Sequence, residues 1–236
     1  MSSPATSSFA ADARVRRGMN AQLAERRRRL DSGERSLGWK VGFGSAEAMR
    51  RLRTDAPLVG FLTDGARLRA PASVSISGWS APVLEPEVAV HMGTELPAGG
   101  DAASARGAIA ALGPAFELAD VAPPPRDVEA ILAGNIFQRH VLLGPADPDA
   151  SAPTLRGRLT GPGGAEQTVE DPLALTGDPV GIVRHVADLL GELGEVLGAG
   201  EIVICGSIVP PIRVAPADAV SFALDPVGEI SIRFEA

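Results

Sequence analysis

The sequence predicts an α+β fold built around a mixed β-sheet. Many short strand segments are interrupted by only two or three helical segments, and strand and helix do not alternate regularly. The chain of 236 residues contains 27 glycines and 20 prolines, which favours turns and short strands over long helices. With 45% hydrophobic and 22% charged residues, it is able to bury a core of its own.

The first helical segment is amphipathic and is predicted over residues 8–31, with Gly33 as its terminator. Apolar residues recur in it at every fourth position: Val15, Met19 and Leu23. A short glycine-rich strand is predicted over residues 37–44. Ser45 then has the side chain to cap a helix that ends near Leu52. From about residue 58 the pattern changes to short β segments.

A second helix is predicted from Asp101, a capping residue, to Leu112. A third begins at Asp178-Pro179, because proline is favoured at the first helical position, and Gly198 and Gly200 end it. Strands are predicted over residues 82–92, 115–119, 139–143, 201–205, 219–224 and 229–235. The segment 145–170 is rich in proline, glycine and aspartate, and is predicted to form turns and a hairpin.

The net charge of −7 is unevenly distributed along the chain. Residues 1–70 carry 14 Lys+Arg and 7 Asp+Glu, whereas the remaining residues carry 8 and 22. The arginine run 26–29 has no aromatic platform or basic fold motif beside it, so we predict no nucleic-acid partner. The run is predicted to be a solvated helix face, docked on the acidic remainder or on a neighbouring subunit.

Cys205 is the only cysteine, so an intramolecular disulfide is impossible and a reducing compartment is favoured. Its position in an apolar run predicts a buried strand residue and not a nucleophile. No stretch reaches the roughly 18 apolar residues of a membrane span. The N-terminal segment lacks the apolar region of a secretory signal. We therefore predict a cytoplasmic protein with no membrane partner.

Glu85 and Glu87 share one face of the predicted strand 82–92, because side chains alternate along a strand. Two ionised carboxylates so close need a cation or a proton when they face the protein. Pro86 cannot donate a ladder hydrogen bond, which predicts a sheet edge or a bulge. Glu117 is a third carboxylate in an apolar strand, and three oxygen ligands suit Mg²⁺ or Mn²⁺. On these residues alone, the alternative of a solvated pair and a Glu117–arginine ion pair stays open.

Four motifs occur in an order that resembles the fumarylacetoacetate hydrolase superfamily, specifically its 2-keto-4-pentenoate hydratase and 2-oxo-3-hexenedioate decarboxylase branch. They are Gly38-Trp39-Lys40-Val41-Gly42, Glu85-Pro86-Glu87, Pro114-Ala115-Phe116-Glu117-Leu118-Ala119-Asp120 and Gly200-Glu201-Ile202-Val203-Ile204-Cys205-Gly206-Ser207. The resemblance covers about residues 37–235. It implies a mixed β-roll, like the C-terminal part of fumarylacetoacetase, with an N-terminal helical segment. We expect residues 1–70 to pack on a catalytic domain 71–236, and the chain to form a homo-oligomer.

The resemblance also assigns roles to individual residues. In that family the three acids hold Mg²⁺ or Mn²⁺, which implies Glu85, Glu87 and Glu117 as metal ligands, with Asp120 as an alternative third ligand. Lys40 is implied as the catalytic residue that assists proton transfer or holds substrate oxygens. Asp55, Gly206 and Ser207 fall at positions implied to bind substrate.

The activity implied by the resemblance is that of a metal-dependent lyase acting on a small 2-oxo acid. We predict a hydratase of 2-hydroxy-2,4-dienoates; the alternatives are a decarboxylase of a 2-oxo-3-enedioate and a non-catalytic partner subunit. Leu58 stands where hydratases carry an acid, and Ile136-Phe137-Gln138 stands where many relatives have small residues. The superfamily's carbon–carbon hydrolases use a histidine upstream of the acid pair, whereas His91, His140 and His185 all lie downstream of Glu85.

Overall fold

A computed structural model describes residues 11–121 and 126–236. Its helices are Ala13–Asp31 (α1), Ala46–Leu52 (α2), Ala102–Ala108 (α3), Val128–Ala133 (α4) and Pro179–Glu192 (α5). Its strands are Ser36–Gly42 (β1), Leu58–Thr63 (β2), Arg67–Leu68 (β3), Ala72–Ser75 (β4), Pro82–Met92 (β5), Ile109–Asp120 (β6), Gln138–Leu143 (β7), Arg156–Thr160 (β8), Glu166–Val169 (β9), Ile202–Ser207 (β10), Ile212–Arg213 (β11), Ala219–Asp225 (β12) and Gly228–Glu235 (β13). None of the described helices has the length and apolarity needed to cross a membrane.

The first sheet is mixed and curls into a roll. Its order is β2-β1-β10-β5-β6-β7-β3, and β11 continues the pairing of β10 along β5. The pairs β1–β10 and β3–β7 are parallel and the others are antiparallel. The two outermost strands, β2 and β3, are consecutive in the chain and joined only by Asp64–Ala66, so the sheet curls until its two edges come near each other.

Strands from both sides of residue 70 share this roll, since β1 and β2 pair with each other and β1 pairs with β10. The division into residues 1–70 and 71–236 stays a prediction.

One face of the curled sheet forms the interior of the roll. On β5 this face carries Glu85, Glu87 and Ala89, because alternate residues point to the same side. Beyond the glutamates the interior is filled by a small aliphatic group that we call the interior cluster: Leu62, Ala89, Ala115, Val141, Ile202 and Ile204. All six are buried. The carboxylates therefore lie at one end of the roll, against a packed apolar interior.

The second sheet has the order β4-β13-β12-β8-β9 and packs on the outer face of β6. Phe116 of β6 meets Phe222 of β12 there, with ring centroids 6.1 Å apart. Since Phe116 and Glu117 are neighbours on one strand, burying Phe116 between the sheets aims Glu117 into the roll. Helix α5 covers β10 with its apolar stripe, which includes Val183, Val186 and Leu190.

Helix α1 is held against the core by close packing and by polar contacts. Gly18 meets α4 so closely that an added Cβ would lie 2.7 Å from the Leu132 Cβ and 2.8 Å from the Glu129 carbonyl oxygen. The buried Gln22 donates hydrogen bonds to the carbonyl oxygens of Leu132, at 2.8 Å, and Val59, at 3.2 Å. Helix α1 therefore packs on α4 and β2.

The arginine run contributes to that docking. Arg26 lies over the Trp39 ring, with its guanidinium carbon 4.8 Å from the ring centroid, and pairs with Glu195 at 3.4 Å and Glu201 at 3.7 Å. The Arg26 side chain is mostly buried, whereas Arg27 and Arg28 are exposed, so the solvated-face interpretation holds for part of the run only.

Most predicted elements are found close to their expected bounds. Strand 82–92 is confirmed, Ser45, Asp101 and Asp178 cap helices as expected, and β8 and β9 form the hairpin predicted within 145–170. The first helix is confirmed from Ala13, and residues 8–10 lie outside the described part. Helix α4 and the short strand β11 were not predicted.

Two predicted helix ends were wrong. The helix that begins at Asp178-Pro179 ends at Glu192, before Gly198. The helix predicted from 101 to 112 ends at Ala108, and the chain continues as β6 from Ile109, because residues 109–120 pair with β5 along its length. For Pro86 the prediction was a sheet edge or a bulge. The edge is excluded, since β5 has β6 on one side and β10 and β11 on the other, and the bulge alternative is the one found. The irregularity that proline requires lies in the partner, where the β10–β5 register shifts between Ile204 and Ser207.

Candidate active site

Three glutamates converge at one end of the roll, as predicted. Glu85 and Glu87 project from β5, and Glu117 lies opposite Glu85 in the β5–β6 register. One carboxylate oxygen from each residue lies within 4.8 Å of the others. Two oxygens on opposite sides of a cation, each about 2.0–2.6 Å from it, are separated by about 4–5 Å. The spacing therefore fits shared ligation of one ion.

Burial makes these carboxylates hard to ionise together. Glu87 is 0% exposed and Glu117 is 1% exposed. Burial, followed by the charge of Glu117, raises the pKa of Glu85 to about 7. Burial and the two neighbouring carboxylates raise the pKa of Glu87 well above its ordinary value. Burial also raises the pKa of Glu117, against the opposing effect of Lys40. Such a cluster needs either protons or a cation.

The hydrogen bonding of Glu87 leaves room for a ligand. Its Oε2 accepts a hydrogen bond of 2.7 Å from the Gly206 backbone N–H. Its buried Oε1 has no hydrogen-bond partner among the described residues. A buried, unpartnered carboxylate oxygen is costly in a folded protein, and a divalent cation would satisfy it. The all-oxygen donor set suits Mg²⁺ or Mn²⁺ better than zinc.

Lys40 reaches the same cluster from β1. The side chain is 2% exposed, and its Nζ donates a hydrogen bond to the Glu117 carboxylate. A second, longer contact of 3.4 Å joins Nζ to the Ile136 carbonyl oxygen. Gly60 on β2 provides the space, because a Cβ there would lie 2.9 Å from the Lys40 Cγ. The expectation that Lys40 projects toward the carboxylates is confirmed.

The Ile136 carbonyl belongs to an unusual turn. Asn135, Ile136 and Phe137 all have positive φ angles, of 50°, 52° and 61°. The left-handed conformation costs roughly 1–2 kcal/mol per residue outside glycine, and β-branched residues such as isoleucine adopt it least readily. The Asn135 side chain spans to Phe61, accepting its N–H at 2.9 Å and donating to its carbonyl oxygen at 3.0 Å.

The carboxylates open onto a cavity of about 660 Å³. Its inner wall includes Lys40, Glu85 and Glu117, together with Gly206 and Ser207 at the end of β10. The Ser207 Oγ is buried and has no hydrogen-bond partner among the described residues, so it is free to meet a ligand. Gly206, at φ +94°, takes a conformation that suits glycine and brings its N–H to Glu87.

The outer wall of the cavity contains residues that the sequence did not single out. Glu47 and Arg51 line it from α2, and Leu175 and Thr176 line it from the segment before α5. Leu175 is 45% exposed, which is unusual for a leucine and places it at the opening. These positions carry no recognisable motif, and only the fold brings them to the cavity. Ile136 and Phe137, noted above as departures from relatives, also line it.

Other candidate residues lie elsewhere. Asp55 is exposed on the turn after α2 and is not among the residues that line the cavity. The Asp120 carboxylate accepts hydrogen bonds from the Ser80 and Ala81 backbone N–H groups, at 3.0 and 2.7 Å. Cys205 borders the cavity, but burial raises the pKa of its thiol well above the ordinary value. None of the histidines, which are all within the described residues, lines the cavity.

No family model matches the sequence. A 4-oxalocrotonate decarboxylase from Pseudomonas putida is 28% identical over 216 residues, which cover 89% of this chain and 81% of that protein. A 2-hydroxyhexa-2,4-dienoate hydratase from Comamonas testosteroni is 28% identical over 221 residues, which cover 88% of this chain and 81% of that protein.

Two solved structures show the same fold. The 4-oxalocrotonate decarboxylase from Pseudomonas putida G7, complexed with magnesium and adipate, superposes with a TM-score of 0.87 at 24% identity, covering 96% of this chain and 89% of the other. A fumarylacetoacetate hydrolase family protein from Yersinia pestis CO92 superposes with a TM-score of 0.62 at 20% identity, covering 83% and 91%. The expected mixed β-roll is thereby confirmed.

Proposed function

We propose that this chain, which belongs to the fumarylacetoacetate hydrolase superfamily, is a divalent-metal-dependent lyase acting on small 2-oxo acids. The observation that carries the proposal is the group of three buried carboxylates beside a buried lysine, at the inner end of a cavity. Glu87 Oε1 receives no hydrogen bond from a neighbouring donor among the described residues, so this oxygen is available to a cation.

Glu85, Glu87 and Glu117 are the residues that would hold Mg²⁺ or Mn²⁺. A bound divalent cation would act as a Lewis acid toward the 2-oxo group and would stabilise negative charge on its oxygen. The hydrogen bond from Gly206 fixes the orientation of the Glu87 carboxylate. Because Oε2 is already engaged, Oε1 is the atom of Glu87 that is free to become a ligand.

Lys40 is proposed as the group that moves the proton. Its Nζ lies between the Glu117 carboxylate and the Ile136 carbonyl oxygen, and it borders the cavity where the substrate carbon chain would lie. A lysine is able to lose its proton and take it back, which suits general acid–base chemistry. Ser207 is proposed to donate its unpartnered hydroxyl to a substrate oxygen, and Gly206 is proposed to contact the substrate through its backbone, since both line the inner wall.

Hydration is the first candidate reaction. A 2-hydroxy-2,4-dienoate would take up a proton on carbon and release the proton of its 2-hydroxyl group, which converts it to the isomeric 2-oxo-enoate. One water would then add across the remaining double bond to give a 4-hydroxy-2-oxo acid. Lys40 would exchange the proton, and the apolar wall formed by Ile136 and Phe137 would limit the entry of bulk water. The similarity to a dienoate hydratase supports this candidate.

Decarboxylation of a 2-oxo-3-enedioate is the second candidate, and Arg51 favours it. Such a substrate carries a second carboxylate, which arginine recognises well. Arg51 lines the cavity at α2, and within the described residues it has no hydrogen-bond or ion-pair partner. The similarity to a 4-oxalocrotonate decarboxylase, at the same 28% identity as the hydratase, supports this candidate equally.

The deciding experiment is turnover of a small panel of 2-oxo acids and dienols, with Mg²⁺, with Mn²⁺ and after chelation. Formation of a 4-hydroxy-2-oxo acid identifies a hydratase, and release of CO₂ identifies a decarboxylase. Absence of turnover for every substrate and metal would support the remaining alternative, a non-catalytic partner subunit. Light scattering on the same sample would test the proposed homo-oligomer.

A further inference from the structure

The left-handed turn at residues 135–137 is closed by a backbone hydrogen bond of 3.2 Å from Phe137 to Gly134 and is tied to strand β2 by one side chain. Asn135 makes two hydrogen bonds to the backbone of Phe61, one to its N–H and one to its carbonyl oxygen. Asn135 is 5% exposed, so these bonds are protected from water. Gly60 is part of the same arrangement, because a Cβ at this position would lie 2.8 Å from the Asn135 Oδ1. Strand β2 thus acts as the anchor for the turn.

This turn also fixes the position of one hydrogen-bond acceptor for Lys40 at the active site. With Ile136 in the left-handed region, its carbonyl oxygen lies 3.4 Å from Lys40 Nζ. The other acceptor of Nζ is the Glu117 carboxylate, which a metal ion would share. The Ile136 carbonyl is therefore the one of these two acceptors that Lys40 would not share with a cation.

We propose that Asn135 is a positioning residue, which holds the turn in its left-handed form so that the Ile136 carbonyl orients the Lys40 amine toward the substrate. The proposal rests on the function proposed above. Asn135 itself does not line the cavity, so it acts through the backbone of Ile136 and not by contact with substrate. Its side chain is required because isoleucine disfavours the conformation, whereas glycine would adopt it without help.

The experiment is a double-mutant cycle between Asn135→Ala and Ile136→Gly. In the wild-type background, Asn135→Ala is expected to lower kcat at least tenfold, with KM and Mg²⁺ affinity changed less than about threefold. In the Ile136→Gly background, the same substitution is expected to lower kcat less than about threefold, because glycine keeps the turn. The cycle cancels the loss of the Ile136 side chain itself. Equal losses of kcat in both backgrounds would overturn the proposal.

Ala217 provides a matched control. It also has a positive φ, of 74°, but it lies on the turn before β12, away from the cavity. Ala217→Gly should relieve local strain without changing the effect of Asn135→Ala on kcat. If Ala217→Gly rescued kcat as well as Ile136→Gly does, a general gain in stability would explain the result, and the positioning role would be wrong.

A second readout is independent of turnover. Lys40 is the only lysine of the chain, so selective ¹⁵N-lysine labelling gives a single side-chain Nζ resonance. In Mg²⁺-saturated protein, this resonance is expected to shift and broaden in Asn135→Ala and to recover in the double variant. Asn135→Asp, which keeps an acceptor for the Phe61 N–H, serves if the alanine variant does not fold. An unchanged resonance in a folded variant would overturn the proposal, whereas a shifted resonance without any turnover would count against the proposed function alone.

Discussion

Lys40 differs from every other basic residue of the chain. The remaining 21 residues of the Lys+Arg total are arginines, and the one lysine occupies a buried position beside the three carboxylates. An arginine would provide charge and hydrogen bonds there, but it does not lose its proton in proteins. A lysine at this position is what proton transfer requires. Pairing with Glu117 alone would not demand it.

Replacing Lys40 by methionine tests that role. We expect turnover to fall by roughly 10²-fold or more, the scale of lost general acid–base help. Mg²⁺ affinity should stay equal or rise, because the cation that competes for Glu117 is gone. Single-turnover kinetics and calorimetric metal titration on the same variant give both quantities. Undiminished turnover would show that Lys40 does not transfer the proton and serves only as the ion-pair partner of Glu117.

The raised pKa of Glu85 predicts a pH-dependent effect on stability. The raised pKa lets the folded protein hold a proton at this carboxyl up to about pH 7, whereas an unfolded chain releases it near the ordinary pKa of 4.5. The folded state thus binds more protons between these values, and the contribution of Glu85 to stability is lost as pH rises through the window. Each pKa unit corresponds to about 1.4 kcal/mol.

Glu85→Gln removes this contribution. In the presence of a chelator, the variant should match the wild type near pH 4.5 and exceed it by on the order of 1–3 kcal/mol at pH 8. Denaturant unfolding at several pH values measures the difference, in which the titration of the three histidines cancels. A difference that does not change with pH would show that Glu85 titrates normally.

At the level of elements, the sequence predicted most strands but misplaced the ends of two helices, and the helix after Asp101 shows why. The apolar residues Ile109 and Leu112 fit a helical repeat after Asp101, and local pattern alone favoured a longer helix. Pairing of β6 with the full length of β5 decided otherwise, since every residue from Ile109 to Asp120 except Ala110 pairs with a residue of β5. Local propensity is a weak guide when a long antiparallel partner is available.

The contact between α1 and α4 yields a prediction about packing. Gly18→Ala would place a Cβ within 3 Å of Leu132 and of the Glu129 backbone, so the two helices would have to separate. We expect a loss of about 1–3 kcal/mol in unfolding free energy, despite the better helix propensity of alanine. Gly181→Ala on α5 is the control, because an added Cβ there would meet nothing within 4 Å. This variant should gain up to about 1 kcal/mol in unfolding free energy. Equal effects would mean that α1 docks loosely.

For the whole molecule, motif order was enough to predict the roll and the convergence of Glu85, Glu87 and Glu117. Strand phasing had placed the first two on one face, and the register of β5 with β6 supplies the third. The residues at the opening of the cavity could not be predicted from motifs or strand phasing. Arg51, Leu175 and Thr176 meet there from segments more than a hundred residues apart, and none belongs to a motif. Contacts of this kind depend on how helices and loops pack, which local patterns do not encode.

The interior cluster makes the cavity a dead end. Its six aliphatic side chains fill the roll directly behind the carboxylates, and the second described cavity, near Arg35 and Arg69, shares no lining residue with the first. A substrate must therefore enter head first, with its 2-oxo end against the glutamates and its tail trailing toward Leu175. The enzyme should tolerate changes at the tail of the substrate better than changes at its 2-oxo end. Each extra carbon at the tail should change kcat/KM modestly, whereas a methyl branch beside the 2-oxo group should nearly abolish turnover. Measuring kcat/KM for a series extended at the tail and a series branched beside the 2-oxo group would reveal this difference. Equal tolerance at both ends would mean that the interior cluster does not close the cavity.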